Sequence, residues 1–329
     1  MLTEIESASI KYARIFATVC IFLCHLATSA NNTLLELLGM FLNVGIYIFL
    51  FISGYLYSQK RITKKQSIFI FLRNRYIRTS MPVIIWMIIV IVINLIYGYE
   101  ITLKQVIGHI FNLEIFFPQI FGMHHLWFVS VIMICYILKY FNEYLDIKPQ
   151  VCFFVGVCFL MLFSLNGNSN WITYTICVIT FMAGLYGRQS VLCNYKINRE
   201  KMLWGIIISL FIRIIGWKLF DGLDVYYIIV GITQMNIGIC SFCLIMSMDK
   251  YLIKLYNNIF WNRIIEWLNS ISYEFYIVHY LFINGAASVL KLTDIRAFNY
   301  LLCVFFSIFS AHILHVTIQI INRTMEKAK

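Results

Sequence analysis

The stretch Ser80–Tyr97, SMPVIIWMIIVIVINLIY, decides the class of this protein. It carries no charged side chain, and it is close to the length of about 20 apolar residues that a helix needs to cross a bilayer. Similar apolar runs lie on both sides of it, at Ile10–Ser29, Leu38–Tyr57, Leu126–Phe141, Val151–Leu165, Trp171–Tyr186, Leu203–Phe220, Tyr227–Met248, Ile271–Leu290 and Tyr300–Ile321. We therefore expect an all-α, polytopic transmembrane helix bundle of about ten spans.

The composition of the whole chain supports this fold class. Hydrophobic residues make up 61% of the chain and charged residues only 12%, whereas a soluble domain carries about 25% charged residues to cover its surface. The lipid bilayer removes the need for that cover. We expect residues 1–329 to form one membrane domain, with no fused soluble domain and with the first apolar run retained as a helix.

The basic residues predict the orientation of the helices. Lys and Arg concentrate in cytoplasmic loops of membrane proteins. With ten spans and the N-terminus inside, the basic residues that fall in outer segments or near outer helix ends are Lys104, Arg213, Lys218, Lys291 and Arg296. The other basic residues lie on the inner side, so the pattern predicts an N-in, C-in arrangement. It also explains the net charge of +11 without a nucleic-acid partner.

The cysteines and the last histidines do not form a recognisable metal or disulfide pattern. Most of the ten cysteines lie inside apolar runs, where a free cysteine behaves as a small hydrophobic residue. His312 and His315 share a helix face, but no third ligand accompanies them. We expect no metal site and no tightly bound cofactor.

The first apolar run contains two ionisable residues, Arg14 and His25. They lie eleven residues apart, which is about three helical turns and about 16 Å along the axis, on nearly the same face. Ionisable groups inside a membrane are costly and commonly functional. The pair suits a substrate path with a cation at its mouth and an imidazole deeper inside. The alternatives are a snorkelling anchor for Arg14 and a packing role for His25.

The segment before the third run contains Arg73, Arg75 and Arg78. On a helix, Arg75 and Arg78 are neighbours three residues apart, and guanidinium groups match the geometry of phosphate. A phosphorylated donor that arrives from the cytoplasm is the ligand we expect here. Ordinary inside-positive charge is the alternative.

Five short motifs occur in the order typical of one family of membrane enzymes. They are Arg14 followed after ten residues by His25, Phe51-Ile52-Ser53-Gly54, Arg75-Tyr76-Ile77-Arg78, Leu126-Trp127-Phe128, and Ser272-Tyr273 followed by His279. Together they resemble the acyltransferase-3 family, and the resemblance spans nearly the whole chain. The family implies transfer of an acyl group, usually acetyl, from cytoplasmic acyl-CoA to a hydroxyl of an extracytoplasmic cell-envelope glycan or its lipid-linked precursor. It also implies a location in the bacterial cytoplasmic membrane, and an envelope-biosynthesis protein as a possible partner.

The resemblance implies roles for particular residues. His25 is expected to act in catalysis, since the ordinary pKa of histidine suits a general base near neutral pH. Arg14 is expected to form the catalytic pair with His25 and to serve the donor's path. Arg75 and Arg78, with Arg73 beside them, are expected to bind the donor.

Further residues are candidates for binding the acceptor or for supporting the catalytic group. They are Ser53, His124, His125, Trp127, Tyr276 and His279. For Ser53 the alternative is close helix packing beside Gly54, and for His124 and His125 it is interfacial polarity. Glu274 is expected near the inner side, paired with a loop arginine.

Two other functions remain open at the level of sequence, because a fold does not fix a function. An exporter of polysaccharide intermediates would favour inverted repeats and broken helices, and neither is evident. A small-molecule-binding membrane domain is the third possibility.

Overall fold

A computed structural model describes residues 4–30, 32–58, 67–146, 148, 150–151, 154–158, 170–187, 198–220 and 222–327. Within these ranges the regular structure is helical, which confirms the all-α class. The α-helices are α1 Glu4–Thr28, α2 Thr33–Leu42, α3 Val44–Tyr57, α4 Ile68–Ile96, α5 Leu103–Ile110, α6 Trp127–Tyr144, α7 Asn170–Gly187, α8 Arg199–Phe220, α9 Asp224–Ser247, α10 Asp249–Tyr256, α11 Ile259–Asn284 and α12 Arg296–Lys327. A short 3₁₀ turn, His124–Leu126, precedes α6.

Seven candidate spans in the described part of the chain are long and apolar enough to cross a membrane. They comprise α1, α2 with α3, α4, the 3₁₀ turn with α6, α8, α9 and α12. The apolar run at Trp171–Tyr186 coincides with α7, and the run at Ile271–Leu290 overlaps α11, which ends at Asn284. Neither helix is among the seven. Most of the run at Val151–Leu165 lies outside the described residues. The protein is thus a multi-pass membrane protein, while the number of ten spans and the N-in, C-in orientation stay predictions.

One compact unit comprises the described residues of Met1–Ile21, Phe41–Gln66 and Ile134–Glu266. In this unit α3 packs against α7 and α9, and α8 packs against α9. Gly54 of α3 and Gly184 of α7 allow the two backbones to touch. A Cβ atom at Gly54 would lie 2.0 Å from the Phe181 carbonyl oxygen, and one at Gly184 would lie 2.2 Å from that of Phe51. The close approach that Ser53-Gly54 predicted is therefore present.

The other compact unit comprises the described residues of Phe22–Met40, Ser67–Met133 and Trp267–Lys329. It contains the end of α1, all of α4 and α5, the start of α6, most of α11, and all of α12. Its apolar core includes Phe22, Ile283, Val289 and Cys303. His25, His125, His279 and Tyr280, which form the site described below, belong to this unit.

Helix α4 begins earlier than the apolar run in the sequence indicates. The Ser67 hydroxyl caps it by accepting a hydrogen bond from the Phe69 N–H, a capping arrangement that stabilises helix starts. The arginine segment 73–78, which the sequence places at the end of a loop, is therefore already helical.

Candidate functional site

Three imidazole rings converge in the second unit, one from each of three distant parts of the chain. His25 lies in the last turn of α1, His125 in the 3₁₀ turn before α6, and His279 in the second half of α11. The ring centroids of His25 and His279 are 5.3 Å apart, those of His125 and His279 are 4.9 Å apart, and those of His25 and His125 are 6.0 Å apart. We call these three residues the histidine cluster.

Backbone carbonyls fix the tautomer of His125. Its Nε2 donates to the carbonyl oxygen of Tyr276 at 2.7 Å, and the Tyr276 hydroxyl donates in return to the His125 carbonyl. Because a carbonyl oxygen only accepts, Nε2 must carry the proton. In the neutral ring Nδ1 is then a bare acceptor, and this atom is buried without a hydrogen-bond partner among the described residues.

His279 is held in the opposite tautomer. Its Nδ1 donates to the carbonyl oxygen of Phe275 at 3.0 Å, and the Phe275 ring stacks on the imidazole at a 7° interplanar angle. The side chain is 1% exposed. Nε2 is therefore the bare acceptor, and it too is buried without a partner in the part of the chain that the structure describes.

His25 is the least constrained member of the cluster. It is half-buried, and no hydrogen bond of its ring is present among the described residues. The backbone around it is fixed, because its carbonyl accepts from the hydroxyls of Thr28 and Ser29. A ring that is held at its base and unbonded at its nitrogens suits a group that exchanges a proton.

Tyr280 is a site residue that the sequence reasoning missed. Its ring stacks on His125 with centroids 4.9 Å apart, and it meets His25 edge-on at the same centroid distance. It also lies 6.4 Å from the rings of His124 and His279. The signal in the sequence was its position next to His279, one turn after Tyr276.

An open cavity of about 780 Å³ adjoins the histidine cluster. Tyr280 is part of its wall and contacts both His125 and His25. The remaining lining mixes hydroxyl, amide, ammonium, imidazole, aromatic and aliphatic groups with one glycine, from Thr28, Ser29, Phe121, His124, Ile283, Asn284, Gly285, Ser288, Leu290 and Lys291. Such a mixture of aromatic faces and hydrogen-bonding groups can hold a polar ligand in a defined orientation.

The arginines of α4 lie on the same unit. Arg73 and Arg78 are exposed, and the guanidinium of Arg75 lies 5.7 Å from the ring centroid of Phe71. One turn beyond Arg75, the Thr79 carbonyl accepts a hydrogen bond of 2.6 Å from the Tyr273 hydroxyl of α11. His279 follows Tyr273 by six residues, so the α4 arginines and the histidine cluster are linked through one continuous stretch of α11.

Arg14 and Ser53 belong to the first unit. Arg14 is half-buried and interacts electrostatically with Tyr136 of α6. Ser53 is half-buried within α3, beside the glycine contact with α7. Trp127, in the second unit, is the half-buried first residue of α6 and directly follows the 3₁₀ turn that carries His125.

The sequence analysis also missed a buried carboxylate near the site. Glu114 is 3% exposed and lies in the connection between α5 and His125. Its backbone N–H donates to the Ser130 hydroxyl at 2.9 Å, and that hydroxyl donates to the Glu114 carboxylate. Nδ1 of His109 lies 3.4 Å from the other carboxylate oxygen. These contacts attach the connection to α6 at Ser130, five residues after His125.

Glu274 is paired differently from what the sequence indicated. Its carboxylate accepts from Nδ1 of His315 at 2.9 Å, and Gln319 contacts Nε2 of the same ring at 2.8 Å. The expected loop arginine is thus replaced by a histidine of α12. In the described residues no group of three His, Cys, Asp or Glu side chains is arranged to hold a metal ion.

The comparison with known proteins agrees with the five motifs. No curated protein and no solved structure gives a match. A family model described as an acyltransferase domain matches residues 7–316, which is nearly the whole chain. The motif histidines His25 and His279 thus occur within a matched domain that also contains the arginines of α4. The chain belongs to the acyltransferase-3 family and is a membrane acyltransferase.

Proposed function

We propose that the protein transfers an acyl group, in the simplest case acetyl, from cytoplasmic acyl-CoA to a hydroxyl of an extracytoplasmic cell-envelope glycan or its lipid-linked precursor. The site of action is the bacterial cytoplasmic membrane. The observation that carries this proposal is the histidine cluster beside a cavity lined by hydroxyl, amide and aromatic groups. The partners are the two substrates and the bilayer, with an envelope-biosynthesis protein as a possible further partner and no nucleic acid.

The reaction needs a base for the acceptor hydroxyl. Neutral His25 takes the hydroxyl proton as the oxygen attacks the thioester carbonyl. The new C–O bond forms, the C–S bond breaks, and the proton on His25 passes to the departing thiolate, so that CoA leaves as the thiol. His25 is the member of the cluster whose ring nitrogens are not already committed to a backbone carbonyl, and this favours it over His125 and His279.

We propose that the donor binds at the arginines of α4, which are connected to the histidine cluster through α11. Arg75 and Arg78 open α4, and guanidinium groups suit the phosphates of CoA. From Tyr273, which contacts α4 at Thr79, six residues of α11 lead to His279, a rise of about 9 Å. With the N-terminus inside, the arginines face the cytoplasm and the cluster lies toward the outer side. A donor bound by its phosphates at α4 can then extend its thioester toward the cluster.

The cavity is the proposed acceptor site. Tyr280 and Phe121 offer aromatic faces, and Ser29, Asn284 and Ser288 offer hydroxyl and amide groups. Each of these three groups already makes a hydrogen bond: the Asn284 amide donates to the Ser29 hydroxyl at 2.7 Å, the Ser29 hydroxyl donates to the His25 carbonyl, and the Ser288 hydroxyl donates to the Ile283 carbonyl. A ligand would therefore use their remaining donor and acceptor positions. A carbohydrate presents both apolar ring faces and hydroxyls, and it matches such a lining.

Substitution of His25 tests the catalytic assignment. His25→Asn keeps hydrogen-bonding capacity but cannot hold the proton, so acyl transfer should fall by about 10²–10⁴-fold, while acyl-CoA binding persists. His312→Asn is the matched control, because His312 is an exposed histidine of the same unit that contacts Trp267. Its turnover should stay near that of the wild type. Near-normal acyl transfer by a well-folded His25→Asn protein would remove His25 as the base.

Substitution of the arginine pair tests the donor site. Replacing Arg75 and Arg78 together by alanine should weaken acyl-CoA binding to the purified protein, measured by isothermal titration. Lysine at both positions should restore binding only in part, because lysine lacks the planar fork of donors. Equal CoA affinity in the wild type and the double alanine variant would contradict the assignment.

A further inference from the structure

Among the described residues, no hydrogen-bond donor meets the buried Nε2 of His279, although the tautomer of this ring makes Nε2 an acceptor. Its Nδ1 proton is committed to the Phe275 carbonyl, and Nε2 is buried without a partner in the described residues. A buried acceptor that is left unsatisfied destabilises the folded protein, because it has lost its hydrogen bond to water and gained none in return. Such an atom is expected to meet a donor in the working protein.

The rings around His279 narrow the choice of donor. Phe22 and Phe275 have no polar hydrogen. His125 cannot donate to His279 in its neutral form, because its one N–H is bonded to the Tyr276 carbonyl. The Tyr276 hydroxyl donates to the His125 carbonyl.

Two donors remain among the rings in contact with His279, namely the N–H of His25 and the hydroxyl of Tyr280. The His25 ring is the closer one, with centroids 5.3 Å apart against 6.4 Å for Tyr280. The two imidazole planes are tilted by 31°. At this separation a rotation of the half-buried His25 ring, or one bridging water, completes a hydrogen bond.

We propose that His279 is a positioning residue, whose Nε2 accepts a hydrogen bond from His25 and thereby fixes the tautomer of His25. The nitrogen that a histidine uses for proton transfer is set by the hydrogen bond that its other nitrogen makes. With one His25 nitrogen donating to His279, the other nitrogen is bare and available as the base. The locked Nδ1–H of His279 prevents the reverse arrangement, in which His279 donates to His25.

The catalytic consequence rests on the proposed function, but the hydrogen bond itself does not. When His25 takes a proton, both of its nitrogens carry hydrogen, and the lone pair of His279 remains directed at the resulting cation. His279 therefore stabilises the protonated state without touching the substrate. His125 contributes a second bare nitrogen, Nδ1, to the same cluster.

The experiment combines ¹⁵N NMR of histidine-labelled full-length protein in lipid bilayers with kinetics. The chain has seven histidines, and the His25→Asn variant assigns the His25 signals. We expect His25 to show one tautomer in the wild type and a mixture of both in His279→Phe, a variant that keeps the ring and its stacking on Phe275. The overturning result is a His25 tautomer ratio that is the same in both proteins.

Kinetics supply the second measurement. His279→Phe should lower kcat by at least about tenfold, below the about 10²–10⁴-fold cost of losing the base, with the KM for acyl-CoA unchanged. His279→Gln offers an acceptor oxygen and should recover part of kcat and the single His25 tautomer. Should acyl transfer be absent from the wild type, the proposed function fails while the NMR result still decides the hydrogen bond. A normal kcat in a well-folded His279→Phe protein would refute the positioning role.

Discussion

The contact between α3 and α7 provides a sharp test of the packing in the first unit. A Cβ atom placed at Gly184 would lie 2.2 Å from the Phe51 carbonyl oxygen. Real Cβ atoms essentially never come closer than 3.0 Å, and ordinary contact begins at 3.4 Å. Gly184→Ala must therefore move one helix by 3.4 − 2.2 = 1.2 Å to restore ordinary contact. The opposing atom belongs to the backbone, so no side-chain rotation relieves the clash.

Two opposing effects set the change in unfolding free energy that Gly184→Ala causes. Overpacking a well-packed interior costs about 1–3 kcal/mol, and the rigid opposing backbone places Gly184→Ala at the upper end. Alanine regains up to about 1 kcal/mol through its helix propensity. The net loss in unfolding free energy is then about 2 kcal/mol. Gly187→Ala is the matched control on the same helix, because its Cβ would meet only the Phe51 side-chain ring, 3.1 Å from Cζ and 3.5 Å from Cε2, and this ring can shift.

Thermal unfolding in detergent, followed with a thiol-reactive fluorophore, measures the difference. Cys177 of α7 and Cys135 of α6 are free and fully buried in the first unit, so they react when the helices separate. Gly184→Ala should unfold clearly below Gly187→Ala, by about 2–4 °C per kcal/mol. Equal midpoints for the two variants would refute the backbone contact between α3 and α7.

The remaining predictions concern orientation and the connection before α6. A topology reporter fused at Asp224 should be active outside the cytoplasm and one at Asn198 inside it, as the positive-inside rule requires; a cytoplasmic signal at Asp224 would contradict the ten-span arrangement. Ser130→Ala removes both hydrogen bonds to Glu114 and leaves a buried carboxylate oxygen without its donor, so the unfolding free energy should fall by about 1–3 kcal/mol. A melting midpoint equal to that of the wild type would show that the Ser130–Glu114 contact is not needed.

Much of the fold follows from the apolar runs in the sequence. Runs such as Ser80–Tyr97 are long enough that only a helix satisfies their backbone groups in a bilayer, and α4 is the result. Its true start at Ile68 was not evident, because Arg73 and Arg78 interrupt the apolar pattern while remaining good helix formers. Helix α7 is an apolar run that is not among the candidate spans. Most of it is buried by neighbours in its unit, so a strongly apolar surface is not required of it.

The candidate site was predictable residue by residue, but not as an arrangement. Each histidine of the cluster is by itself a candidate functional residue, because ionisable groups in apolar helices are energetically costly. Nothing in helical periodicity tells which helices will be neighbours, so the meeting of residues separated by a hundred positions or more is seen only in the folded chain. Tyr280 was overlooked for a related reason. The chain has 21 tyrosines, and tyrosine in a membrane protein is ordinarily an interfacial residue.

The position of each histidine within its helix accounts for the form of the site. His25 and His125 lie where α1 ends and just before α6 begins, whereas His279 lies within α11, one turn before its end. Ends of helices carry unpaired carbonyl groups and hydroxyl side chains, and here Ser29 and Asn284 supply such groups to the cavity. The interior of α11 instead supplies the imidazole of His279, whose orientation is fixed by its hydrogen bond to the Phe275 carbonyl. A half-buried ring at a helix end, whose nitrogens make no hydrogen bond among the described residues, backed by a fixed ring from a helix interior, therefore fits the roles proposed for His25 and His279.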